Sequence, residues 1–91
     1  MGREITLFSS EEPKTRSDVA DFLRNLADRI DAAQVVLRQG QDEIVLSLPE
    51  RIVLELKVED EEKRSKGIQH SLEIELKWYD GDTSTGSVEL G

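Results

Sequence analysis

Apolar and polar positions follow two different periods along the chain. Between Thr15 and Asp31 the apolar residues Val19, Phe22, Leu23, Leu26, Ala27 and Ile30 recur every three or four positions, which lines them up as one stripe of an α-helix. Arg16, Asp21, Arg24, Asn25, Asp28 and Arg29 occupy the opposite side. Thr15 is suited to cap the first turn, and Asp18, three residues later, places a negative charge at the positive end of the helix dipole. The pattern predicts one amphipathic helix over Arg16 to Asp31.

From Gln34 onward the period falls to two. Val35 and Leu37 share a face, Gln39-Gly40-Gln41-Asp42 reads as a turn, and Ile44, Leu46 and Leu48 resume the alternation up to Pro49. Ile52, Leu54, Leu56 and Val58 alternate with Val53, Glu55, Lys57 and Glu59. The charged stretch Asp60 to Lys66, closed by Gly67, then reads as a loop. Ile68, His70, Leu72, Ile74, Leu76 and Trp78 hold one phase, and Gln69, Ser71, Glu73, Glu75 and Lys77 the other. Such alternation belongs to strands with one dry and one wet face, as in antiparallel sheets.

At the N-terminal end, Ile5 and Leu7 stand two apart within Arg3 to Ser9, which predicts a short additional strand. Ser9 to Lys14 is polar and contains Pro13, and so forms a connection. The expected fold is therefore α+β, in the order β-α-β-β-β-β. One helix lies on one face of a mostly antiparallel sheet of about five strands and covers Ile44, Leu46, Ile52 and Leu54. The expected domain spans residues 1–79, and residues 80–91, rich in Gly, Ser, Thr and Asp, form a flexible tail.

Composition narrows the chemistry. The 91 residues hold 12 Lys and Arg against 20 Asp and Glu, for a formal charge of -8. That excess repels phosphate backbones and anionic lipid surfaces, which disfavours nucleic-acid and membrane-surface binding. The absence of cysteine excludes disulfides, thiol catalysis and Cys-ligated zinc, and a single histidine leaves little for a His-based metal centre. No apolar run has the length of a membrane helix, and the first residues do not read as a signal peptide, so a cytoplasmic setting is expected.

The run Leu72-Glu73-Ile74-Glu75-Leu76-Lys77-Trp78, an amphipathic strand closing on a tryptophan, is similar to the signature of the amphi-Trp domain family. Leu7-Phe8-Ser9-Ser10-Glu11-Glu12, Asp21-Phe22-Leu23-Arg24-Asn25-Leu26-Ala27-Asp28 and Leu46-Ser47-Leu48-Pro49-Glu50-Arg51 add to the likeness, which covers Ile5 to Trp78. The resemblance implies a small prokaryotic cytoplasmic domain. It carries no reaction, cofactor or partner, and no functional residues. Trp78 continues the apolar phase of its strand and is expected to be a structural aromatic.

Individual candidates for chemistry are sparse. His70 lies on an apolar phase between Ile68 and Leu72, a position typical of a packing histidine. Glu73 and Glu75 share a solvated face, with nothing apolar beside them to raise a pKa. Asp80-Gly81-Asp82-Thr83-Ser84-Thr85-Gly86 begins like a calcium loop, but Thr85 and Gly91 stand where that motif needs glycine and glutamate. No catalytic residue, cofactor site, metal site or small-molecule substrate is assigned.

Surfaces offer more than sites do. With the helix on one face of the sheet, Val36, Val45 and Val53 point from the other side of three consecutive strands, an uncharged patch on a charged surface and the candidate interface. The expected function is a non-enzymatic interaction or assembly module with a protein partner or a second copy. The alternative is a small nucleic-acid-associated protein using the Lys63, Arg64 and Lys66 loop with Arg38.

Overall fold

A computed structural model describes residues 2–80; the expected tail, from residue 81 on, lies outside the described residues. The elements are α1 (Arg16–Asp31), β1 (Gln34–Gln39), β2 (Asp42–Ser47), β3 (Val53–Lys63) and β4 (Gly67–Lys77). They fall into two compact units, divided between Leu48 and Pro49.

In the first unit, α1 starts where its cap dictates. Thr15 is extended at φ -75 and ψ 158, and its Oγ1 accepts from the Asp18 N–H at 3.0 Å, satisfying one of the donors that a first turn leaves unpaired. The other end closes with Ala32 N–H donating to the Asp28 carbonyl and Ala33 N–H to the Ile30 carbonyl. Ala33 then turns the chain at φ 65, a left-handed conformation usually left to glycine. That reversal sends the chain directly into β1.

β1 and β2 pair antiparallel from Gln34↔Ser47 to Gln39↔Asp42, around a two-residue loop whose first position is Gly40 at φ 61. The pairs Val35↔Leu46 and Leu37↔Ile44 share the face against which α1 packs, and Val35 is 5% exposed. Leu48 is also buried, and its N–H donates to the Ala33 carbonyl at 2.9 Å, tying the end of this hairpin to the helix exit. The core of the unit thus gathers at the C-terminal half of α1, where Leu26 and Ile30 are half-buried. Phe22 and Leu23, nearer the start, remain exposed.

In the second unit, β3 and β4 form one long antiparallel hairpin, in register from Val53↔Lys77 to Lys63↔Gly67. Its tip is a three-residue loop in which Lys66 N–H donates to the Lys63 carbonyl and Gly67 follows at φ 87, the turn-plus-left-handed-residue form common in such loops.

Three features differ from the sequence expectation. Residues 2–15 carry no helix or strand, although Ile5 and Leu7 are spaced for one. A strand needs a hydrogen-bonded neighbour, and among the described residues the ladders run only between β1 and β2 and between β3 and β4. Four strands therefore make two two-stranded sheets, where about five strands in one sheet were expected. Pro49, with no N–H to offer a ladder, sits in the 48–52 segment that separates β2 from β3. Finally, Asp60–Lys63 extends β3 where a loop was expected, because Gly67 places the turn later and each charged residue finds a cross-strand partner.

Candidate interaction surface

The register of β3 and β4 sorts their side chains without ambiguity, since opposed residues share a face. Leu54↔Leu76, Leu56↔Ile74 and Val58↔Leu72 form three successive apolar rungs, followed toward the tip by Asp60↔His70 and Glu62↔Ile68. Leu76 is half-buried, but Leu54, Leu56, Val58, Leu72 and Ile74 are between 53% and 73% exposed. A contiguous aliphatic ladder of this kind is unusual on a surface, where apolar side chains are normally scattered.

The reverse face is charged and internally paired. Lys77 Nζ donates to Glu55 Oε1 at 2.6 Å across the strands, and Lys57 lies 3.7 Å from Glu59 and Lys63 3.2 Å from Glu61 along β3. The hydrogen bond from Lys77, reinforced by its charge, holds the Glu55 carboxyl below its ordinary value, and the same contact raises the Lys77 ammonium. Both side chains are exposed, so the pairing organises the face more than it stabilises the fold. β3–β4 is therefore amphipathic, with three apolar rungs at the base of one face and a mainly charged opposite face that carries three ion pairs.

The residues singled out from the sequence fall in different places. Val36 and Val45 are directly opposed on the side of β1–β2 away from Val35 and Leu46; Val36 is half-buried and Val45 is exposed. Val53 belongs to the other hairpin, where it faces Lys77 on the charged side. The three valines are thus distributed over two sheets. Trp78 follows the last residue of β4 and is half-buried. Arg38 is ion-paired with Glu43, and Lys63, Arg64 and Lys66 lie at or beside the tip of β3–β4, with Lys63 engaged by Glu61. His70 Nδ1 lies 2.6 Å from Asp60 Oδ1, its cross-strand neighbour. Among the described residues no group of three His, Asp or Glu gathers as metal ligands, and no helix is long and apolar enough to cross a membrane.

What the sequence reasoning missed was the regular face of β3–β4. Its alternation predicts the dry side of a covered sheet, and the valines out of phase stand out as the candidate patch. The signal in the sequence is the length of the alternation: each of the two strands runs eleven residues.

The sequence model of the Amphi-Trp domain matches residues 1–91. The chain belongs to the Amphi-Trp domain family. The match runs beyond the Ile5 to Trp78 stretch that carries the motif resemblance and takes in the C-terminal residues as well. No curated protein and no solved structure matches the chain. The amphipathic run closing on Trp78 corresponds to β4 and the residue after it.

Proposed function

We propose that this Amphi-Trp protein is a non-enzymatic assembly module that self-associates through the apolar face of β3–β4. The observation that carries the reading is the exposed ladder of Leu54, Leu56, Val58, Leu72 and Ile74. An isolated two-stranded hairpin is at best marginally stable in water and needs its apolar face covered. A second copy presents the same face, so closing two ladders on each other is self-complementary by construction.

The area is sufficient. At about 100 Å² for each exposed aliphatic side chain, one ladder offers about 500 Å², and two copies together about 1,000 Å², the lower bound for a specific interface. The Val36–Val45 pair is a smaller, separate apolar patch on the first unit. The nucleic-acid alternative finds less support, because Arg38 and Lys63 are already engaged by Glu43 and Glu61 and the chain carries a charge of -8.

Sedimentation velocity of the full chain over a range of concentrations tests the proposal. A dimer or larger species that resists added salt is the expected result, since apolar contacts are not screened. A monomer at all concentrations overturns it.

A further inference from the structure

We infer that the two copies associate with their hairpins pointing in opposite directions, about a two-fold axis that passes through the Leu56↔Ile74 rung. This rests on the self-association proposed above and names the geometry of its partner. Three apolar rungs occupy the base of the hairpin face, and the rungs Asp60↔His70 and Glu62↔Ile68 occupy the tip. Two such faces can close with the tips together or with the tips opposed, and either arrangement stacks three apolar rungs on three.

The charges decide between them. With the tips together, Asp60 and Glu62 of both copies are trapped between two sheets about 10 Å apart, which desolvates four carboxylates at one end. Two His70 side chains are all that the same rungs offer in compensation, and each already has its own Asp60. With the tips opposed, the Asp60 and Glu62 of one copy are separated from those of the other, one pair at each end of the assembly. The Leu54↔Leu76 rung of one copy then covers the Val58↔Leu72 rung of the other, and Leu56 meets Leu56 at the axis. The Asp60↔His70 rung of one copy then lies beyond the Leu54↔Leu76 rung of the other, at the edge of the apolar contact.

The chain has no cysteine, so a Ser65→Cys variant carries a single nitroxide label at the hairpin tip, outside the apolar face. Ser65 lies nine residues from Leu56, and at about 3.3 Å per residue the opposed tips stand roughly 50–60 Å apart, against about 10–20 Å for tips together. Pulsed dipolar spectroscopy on the labelled full chain, with sedimentation on the same sample, reads the difference. A distribution centred near the long distance is expected. A distribution centred clearly below it, in a sample that sediments as a dimer, overturns the opposed geometry and leaves self-association standing. A monomer without dipolar modulation overturns both.

Discussion

Leu56 stands directly opposite Ile74 at the middle of the β3–β4 apolar face, and the two side chains are 63% and 53% exposed. A charge at this rung would have to be desolvated when a second copy closes over it. Leu56→Glu is therefore expected to shift the sample to monomer in sedimentation velocity, with the helical circular dichroism of α1 retained. Loss of about 100 Å² of apolar burial in each of the two copies corresponds to roughly 4–6 kcal/mol, or on the order of 10³- to 10⁴-fold weaker association. Val45→Glu, on the other hairpin, should weaken association much less. The reverse ranking would move the interface to the Val36–Val45 face.

Ala33 is the one described residue other than glycine with a positive φ. A Cβ in the left-handed region costs about 1–2 kcal/mol, and the position directly follows the helix C-cap, where glycine is the usual choice. Ala33→Gly should raise the stability of the first unit by about 0.5–1 kcal/mol, after the added unfolded-state entropy is offset. Urea unfolding monitored at the helix checks it. A decrease would mean that the Ala33 methyl group contributes packing that outweighs its backbone strain.

Val35, 5% exposed, is the most deeply buried of the core side chains between α1 and β1–β2. Val35→Ala removes two buried methyl groups, and a loss of about 1.5–3 kcal/mol is expected. In so small a core that is a large share of the total, so the thermal transition should broaden as well as fall. An unchanged transition would show that this core does not limit stability.

The Glu55–Lys77 pair gives a pH dependence with a definite sign. The Glu55 carboxyl is held below its ordinary value of 4.5, so its contribution is fully present above about that pH and is lost as pH falls through the lowered folded-state value. Lys77, raised above 10.5, contributes fully below that value and loses its contribution as pH rises through the raised one. Both effects should be small and diminish with salt, because the pair is solvated. Carboxyl titration by NMR in Lys77→Met should return Glu55 toward its ordinary value. A titration unchanged from wild type would remove the pairing from the folded state in solution.

The local elements of this protein are written in short stretches of chain. Thr15 with the stripe Val19 to Ile30 determines α1, and Gly40 between Val35–Leu37 and Ile44–Leu46 determines the first hairpin. The amphipathic run ending at Trp78 is β4 itself. Each depends on neighbours a few residues apart, where backbone geometry and hydrophobic period act directly. Asp60–Lys63 is the exception: its charge density suggests a loop, while cross-strand partners four to ten residues away draw those residues into β3.

What the sequence by itself determined is therefore which residues are helical, which alternate, and which side of each strand is carbon. What only the tertiary structure decided is which of those carbon faces finds cover. Val35 and Leu48 are buried, Leu56 and Ile74 are open, and the N-terminal Ile5–Leu7 pattern stays without a ladder. The physical reason is that alternation records only that a face avoids water. The partner that removes the water is a non-local matter, and for β3–β4 we place that partner in a second copy of the chain.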